Sequence, residues 1–566
     1  MPGYYPHQLP RAPELLVGQF LLTTRPELVP RGWQSITHSR WLLAWSAPLT
    51  TTPFRDRSGR VLGWLVGHAV HPELGWVAAL AGIPLEPADQ AGFDAVVNRL
   101  SGRFIAISLI QGTPSVFLDA LGSMGAVFAP EEECAASTQS LIPVSARTAF
   151  DIDRILWTDI PYGDGMYPVG LTSRHGVDRL LPNHVLHTCG WTQVRCWPTG
   201  DMARDADPAE VAERMGRNMR RALNATARVM PLDFALTAGW DTRLILSCAG
   251  DVLDGATFFT ADLDDLIGWR DVVVSRLIAR RFGLRHRVVP KRRAGAADLL
   301  AWAIRTGGEV GEPRGWRGCR ALAEQLPGSA SITGTGGNQL NHGPKRRSWF
   351  ARGSFSGGTP AAVPGPAPAG FPGACRAMAG RNPQHRSQPD FRSAVPRAAR
   401  RLLGGIIEYG ELGRTHARYC PIGTVETTRD LLRPPVESRG GHLFHRRVSE
   451  LNWPELLEIP FNKDFRVSGP RGPLLCRSRI LAEASGSIAP VGSEDPGEAG
   501  VAAESAGARK GGTRRCNEGR GGAKRDREWG LTRQSERRLD PSVEEQVCGR
   551  WQQGFRRSGP ETYNWL

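Results

Sequence analysis

The feature that most constrains this chain is a short polar loop between an apolar strand and a helix. Residues 230–236 are apolar enough to predict a strand, and residues 243–249 predict a helix. The start of a helix at the mouth of a parallel sheet offers backbone N–H groups to an anion. The sequence therefore predicts a phosphate or pyrophosphate site in the loop. The alternative is an ordinary strand–turn–helix with a polar N-cap.

The polar residues of the loop suit such a site. Thr237 and Thr242 can donate hydroxyl hydrogen bonds to phosphate oxygens, and Gly239 lets the backbone approach because it has no Cβ. Asp241 stands at the helix start, where a carboxylate can hold a magnesium ion that bridges phosphates. Arg243 is predicted to meet a phosphate, with an ion pair on the surface or in the core as the alternative.

Strand and helix patterns alternate after residue 207. The predicted strands are 230–236, 256–260, 286–289 and 331–333, and the predicted helices are 209–223, 243–249, 271–282 and 296–305. This alternation predicts a parallel sheet covered by helices, with a ligand at the carboxyl ends of the strands. Gly336 and Gly337 follow the last strand. We therefore expect them to converge with the loop at 237–242.

The pattern resembles the asparagine synthetase family, which belongs to the N-type ATP pyrophosphatases. Residues 237–242 resemble the family's Ser-Gly-Gly-x-Asp-Ser loop, residues 269–286 its next helix, with Asp271 near the start, and residues 336–340 its Gly-Gly-Asp-Glu-Leu element. Residues 100–107, 119–123 and 175–184 resemble elements of its glutaminase-like domain and of the connection to the synthetase domain. The resemblance covers roughly residues 60–345, with a weaker patch to about residue 466.

The resemblance implies that ATP activates a carboxylate as an acyl-adenylate with release of pyrophosphate, and that ammonia or an amine then forms an amide. The residues it assigns to ATP are Thr237, Ala238, Gly239, Asp241, Thr242, Arg243, Gly336 and Gly337. It assigns magnesium to Asp241 and Asn338, and it leaves the catalytic residues unassigned. The partners implied are a small-molecule or peptide carboxylate and ammonia or an amine, and a partner protein or a homodimer is a further expectation.

Two departures from the family pattern bear on activity. A glutaminase of this kind needs a cysteine directly after the initiator methionine, but this chain has Pro2 there and its first cysteine is Cys134. We therefore expect no glutamine hydrolysis. Asn338 and Gln339 stand where the family has two acidic residues. An amide oxygen can ligate magnesium but carries no balancing charge, so the alternative is a relative without catalytic activity.

The length of 566 residues predicts two or three domains. We expect a mixed α/β chain. Its first domain, at 1–200, is β-rich and sandwich-like and resembles an Ntn hydrolase with a degenerate glutaminase site. A parallel-sheet ATP-pyrophosphatase core follows at 201–345, and it continues weakly at 406–466. The Pro/Gly/Arg-rich segment 346–405 and the basic low-complexity tail 467–566 are predicted to be disordered.

The positive charge of the chain is concentrated in the two segments that are predicted to be disordered. The net charge is +15, and residues 341–420 alone hold 13 basic and 3 acidic residues. Two further alternatives follow: nucleic-acid binding through the basic segments, which we rank lowest, and a damaged gene product, because out-of-frame translation of a GC-rich gene gives the same composition. The ten cysteines show no metal-ligand spacing, and no apolar run approaches 18 residues. We expect a cytoplasmic protein that does not associate with membranes.

Overall fold

The computed structural model describes residues 15–158, 167, 170–199, 202–262, 266–290, 296–309, 329–334, 337, 417–467 and 474–476. The predictions for segment 346–405, for residues 477–566, and for Gly336, Asn338 and Gln339 lie outside these residues. The mixed α/β class is confirmed.

The first part of the chain forms two mainly antiparallel sheets. Their strands are β1 (Phe20–Thr23), β2 (Gln34–His38), β3 (Trp41–Trp45), β4 (Thr51–Arg55), β5 (Val61–His71), β6 (Gly75–Trp76), β7 (Ile83–Pro84), β8 (Ser101–Ser108), β9 (Ser115–Leu118), β10 (Val127–Ala129), β11 (Cys134–Ala136), β12 (Asp178–Arg179), β13 (His184–His187) and β14 (Thr192–Arg195). One sheet has the order β12-β10-β11-β1-β3-β2 and the other β14-β13-β9-β8-β5-β4-β7, with β6 beside β5. Only the β4–β7 pair among these is parallel.

The two sheets pack face to face as a sandwich. Alternate side chains leave opposite faces of a strand, and β8 is buried on both faces. Ile105 and Ile107 enter the core between the sheets, whereas Phe104 and Ala106 lie in a second apolar cluster with Phe93. Phe93 belongs to helix α1 (Gln90–Arg99), which covers the outer face of the second sheet.

The later part of the chain forms a parallel sheet flanked by helices. Its strands are β15 (Leu232–Ala235), β16 (Thr257–Ala261), β17 (His286–Val289), β18 (Ala330–Ile332) and β19 (Ala417–Tyr419). The other helices are α2 (Ile152–Thr158), α3 (Pro208–Ala227), α4 (Trp240–Ser247), α5 (Leu266–Phe282), α6 (Ala296–Thr306), α7 (Val425–Leu432) and α8 (Leu443–Asn452). An antiparallel pair, β20 (Phe465–Val467) and β21 (Leu474–Cys476), follows. Residues 474–476 thus form a strand within a tail for which we expected no order.

The strand order of the parallel sheet fixes where a ligand can bind. The order is β17-β16-β15-β18-β19, and every neighbouring pair is parallel. After β15, the next two strands along the chain, β16 and β17, lie on one side of it. The last two, β18 and β19, lie on the other side. In open α/β sheets ligands bind beyond the carboxyl ends of the strands where the order reverses in this way. That point lies between β15 and β18.

One apolar core joins the two parts of the molecule. Helix α3 begins with Pro208 after Asp207, whose carboxylate accepts a hydrogen bond from the N–H of Ala209. Its apolar face lies in the same cluster as Trp76 of β6 and Phe234 of β15. Among the described helices, none has the length and apolar character needed to cross a bilayer.

A buried turn adds a second junction. The Asp119 carboxylate accepts hydrogen bonds from the N–H groups of Leu121, Ser123 and Met124 and from the Ser123 hydroxyl. Burial raises the pKa of Asp119, and these hydrogen bonds oppose that shift. A Cβ on Gly423, just after β19, would lie 2.8 Å from the Leu121 side chain. The turn after β9 therefore packs closely on the residues that follow the last strand of the parallel sheet.

Candidate functional site

The loops after β15 and β18 meet at Asp241. A Cβ on Gly334 would lie 2.8 Å from the Cβ of Asp241 and 3.1 Å from the backbone nitrogen of Thr242, and a Cβ on Gly337 would overlap the Asp241 carboxylate. Glycine is thus required at both positions by close approach rather than by backbone conformation. The structure brings Asp241, Thr242 and Gly337 together at the point where the strand order reverses.

Hydrogen bonds inside the loop hold its shape. The hydroxyl oxygens of Thr237 and Thr242 are 2.9 Å apart, and the Gly239 N–H donates to the Thr237 hydroxyl over 3.1 Å. The N-cap of α4 is Gly239, which has no side chain to cap the helix. The polar N-cap interpretation is therefore wrong. The N–H groups of the first turn of α4 have no carbonyl partner inside the helix, so they are the donors available to an anion.

Asp271 fixes the loop from a neighbouring helix. The N–H of Ala238 donates to Oδ1 of Asp271 over 2.8 Å. The sequence placed Asp271 near the start of a helix with capping as one role, but α5 already begins at Leu266. The Asp271 carboxylate therefore holds the loop backbone and does not cap its own helix. Ala238 is among the residues predicted to bind ATP, and this bond occupies its backbone N–H.

Arg243 lies in the core and not at the anion site. Its guanidinium donates to the carbonyl oxygens of Ile459 at 2.6 Å and Pro460 at 2.8 Å, and it lies 3.7 Å from the ring centroid of Phe461. The residue is 1% exposed, and burial lowers its pKa to about 9. The predicted phosphate contact is therefore wrong. Side chains two positions apart on a helix point about 160° apart, so Arg243 and Asp241 leave α4 on different sides.

His445 is a site residue that sequence reasoning missed. Its Nε2 lies 2.7 Å from Oδ1 of Asp241. The side chain of His445 is 1% exposed, whereas that of Asp241 is 31% exposed. His445 belongs to α8, in the patch where the family resemblance is weak, and a single histidine in a helix carries no signal of such a contact. The pair Gly440-Gly441 just before α8 indicates an unusual backbone conformation there, but it does not predict the contact with Asp241.

Aromatic side chains anchor the loop to the segment around α8. Trp240 stacks on His442 with ring centroids 4.8 Å apart and on Phe461 at 3.6 Å, with interplanar angles of 9° and 11°. His442 has a left-handed φ of 62°, which is uncommon for a residue with a side chain. The N–H of Asn462 donates to the Ala238 carbonyl over 3.0 Å. The loop is thus held by residues more than 200 positions later in the chain.

At this loop the described residues offer a cation one carboxylate, that of Asp241. Within the described ranges, no three His, Cys, Asp or Glu side chains are grouped as metal ligands. Asp241 supplies one partly exposed carboxylate. Magnesium in nucleotide sites often takes one or two carboxylates, with phosphates and waters completing its shell. The second predicted ligand, Asn338, lies outside the described residues.

The sandwich holds no reactive thiol at Cys134. This side chain is buried, and desolvation together with the nearby Glu132 carboxylate raises its pKa to about 12. A thiol in that state does not form the thiolate that nucleophilic catalysis requires.

No family model matches the chain, and no curated protein matches it. What the structure establishes is a parallel sheet with two glycine-containing loops closing on one carboxylate.

Proposed function

We propose that this chain is an ATP-dependent, amide-forming ligase of the asparagine synthetase type. The observation that carries the proposal is the meeting of the loops after β15 and β18 at Asp241, with Gly334 and Gly337 in contact distance. Both loops lie at the point where the strand order reverses, which is where open α/β sheets bind ligands. Glycine at both contacts leaves room for the Asp241 side chain, which is 31% exposed at this edge of the sheet.

The chemistry assigned to the chain is mainly binding and orientation. The first-turn N–H groups of α4 and the hydroxyls of Thr237 and Thr242 would hold the pyrophosphate part of ATP. Magnesium, when bound at Asp241, would neutralise phosphate charge. The carboxylate substrate would be aligned with the α-phosphate, so that an acyl-adenylate forms and pyrophosphate leaves. Such positioning and charge stabilisation account for most of the catalysis in reactions of this type.

The source of nitrogen in this proposal is ammonia or a substrate amine. The two-sheet sandwich would be the Ntn-hydrolase-like domain of the family. Its buried Cys134 has a pKa raised to about 12, so this thiol does not serve as a glutaminase nucleophile. The sandwich would then serve as a structural partner of the synthetase sheet, through the core shared by Trp76 and Phe234.

A second candidate is a relative that binds the nucleotide without adenylating an acid. The observation that favours it is the engagement of Asp241 Oδ1 by His445 at 2.7 Å. The replacement of the family's acidic pair by Asn338 and Gln339 points the same way. In this case ATP would bind and no pyrophosphate would be released.

ATP–pyrophosphate exchange separates the two candidates. The full chain is assayed with aspartate and a panel of other carboxylates, and ATP binding is measured in parallel by calorimetry. Exchange that requires one acid and disappears in Asp241→Asn supports the ligase. Asp251→Asn is the control, because Asp251 is an exposed residue that contacts Asn224 away from the loop. ATP binding without exchange for any acid supports the inactive relative.

A further inference from the structure

His445 is the part of the site that the proposed chemistry leaves without a role. Its Nε2 faces Oδ1 of Asp241, and its Nδ1 is buried with no hydrogen-bond partner among the described residues. Nε2 therefore carries the proton and donates to the carboxylate, a tautomer assigned from geometry. Because His445 is almost fully buried and Asp241 is partly exposed, the imidazole lies on the protein side of the carboxylate.

Neighbouring rings fix the orientation of this imidazole. The His445 ring lies 6.2 Å from Trp240 at an interplanar angle of 67° and 5.2 Å from His442 at 70°. Two edge-to-face contacts at these distances restrict rotation of the ring. The Asp241 carboxylate is also in close contact with the backbone of Gly337. Both the donor and the acceptor of the hydrogen bond are thus held by packing.

We propose that His445 is a positioning residue that orients Asp241 toward the metal ion of the ATP site. This inference rests on the proposed function. One carboxylate oxygen accepts the His445 hydrogen bond, which leaves the other oxygen for the cation. Hydrogen bonds to a ligating carboxylate fix its orientation, and their loss typically lowers metal affinity or activity about 10- to 100-fold.

Direct Mn²⁺ binding tests the role without relying on turnover. Electron paramagnetic resonance measures free Mn²⁺ in the presence of α,β-methylene-ATP, which resists cleavage at the reacting bond. We expect His445→Leu to weaken Mn²⁺ binding about 10-fold or more, and His445→Gln, which restores an N–H donor, to recover most of the affinity. His187→Leu is the matched control, because His187 bonds Ser115 in another sheet.

The variants are first compared by thermal unfolding without ligands, so that loss of folding is scored separately. If His445→Leu does not fold, His445→Asn replaces it, since that side chain is too short to reach Asp241 and is expected to show the same loss of Mn²⁺ affinity. Unchanged Mn²⁺ affinity in a folded variant overturns the inference, and so does a wild-type chain that binds no Mn²⁺.

The same data separate this inference from the proposed function. Mn²⁺ affinity that falls in His445→Leu, with no pyrophosphate exchange for any acid, supports the positioning role and overturns the ligase. Exchange in the wild type, with unchanged Mn²⁺ affinity in the variant, supports the ligase and overturns the positioning role.

Discussion

Gly337 and Asp241 pack so closely that position 337 has no room for a Cβ, which would overlap the Asp241 carboxylate. The two residues follow different strands of the parallel sheet, and their contact closes the candidate site. Gly334 makes a similar approach to the Cβ of Asp241, at 2.8 Å. The geometry of the site therefore depends on the absence of a Cβ at positions 334 and 337 as much as on the polar side chains.

Replacing Gly337 tests that dependence. Gly337→Ala displaces the Asp241 carboxylate, and a displacement near 1 Å in a binding site can cost about 100-fold in activity. We expect affinity for magnesium and ATP to fall at least about 10-fold by calorimetry. Gly250→Ala is the matched control, because a Cβ there meets nothing within 4 Å. Equal affinities in the two variants would contradict the close packing.

Arg243 is predicted to stabilise the fold. Arg243→Met leaves the carbonyl oxygens of Ile459 and Pro460 without their donor and removes the contact with Phe461. We expect a loss of about 3 kcal/mol or more in the free energy of unfolding, since buried polar groups would be left unpaired. Urea unfolding measures it. Arg217→Met is the exposed control, with an expected change below about 0.5 kcal/mol. If Arg243→Met lowered ATP affinity and left stability unchanged, the result would instead support a contact between Arg243 and a phosphate of ATP.

His68 is expected to make stability depend on pH. Desolvation, with a contribution from Arg103, lowers its pKa from 6.5 to about 4. Between these pH values the unfolded chain binds the proton and the folded chain does not, so stability falls as pH decreases through this window. For this one residue we expect a loss of about 2 kcal/mol between pH 7 and pH 5. His68→Leu should make the profile measured by urea unfolding less steep, and an unchanged profile would contradict the prediction.

Thiol labelling tests the absence of a nucleophile at Cys134. Burial raises the pKa of this thiol to about 12, whereas Cys189 is exposed. We expect iodoacetamide to modify Cys189 in the native chain at neutral pH and to leave Cys134 unmodified, as read by peptide mass spectrometry. Labelling in urea is the control, in which both residues should react. Rapid modification of Cys134 in the native chain would contradict this prediction and would indicate that Cys134 forms a thiolate.

Local patterns predicted the elements of the parallel sheet well. The expected strands at 256–260, 286–289 and 331–333 lie within one residue of β16, β17 and β18. A short apolar run that ends in a glycine-containing turn is a local signal, because burial, strand propensity and turn chemistry all act within a few residues. The same pattern indicated that loops 237–242 and 334–337 share one edge, and in the structure Gly334 and Gly337 lie against Asp241.

The directions of individual side chains were not predictable in this way. Arg243 follows a polar loop, yet its guanidinium lies among carbonyl groups contributed by residues 456–460. The sequence pattern places Asp271 near the start of a helix, yet its carboxylate accepts the Ala238 N–H from inside α5. Each outcome depends on what packs against the helix, and that partner is distant in the sequence.

The sequence by itself determined the alternation of strand and helix, the polar loop after β15 and the glycines after β18, because these follow from periodicity and local backbone chemistry. Tertiary structure alone decided that β19 extends the sheet next to β18 and that His445 contacts Asp241. The physical reason is separation along the chain. Asp241 and His445 are 204 positions apart, so no local pattern links them, and only packing of α8 against α4 brings the imidazole to the carboxylate.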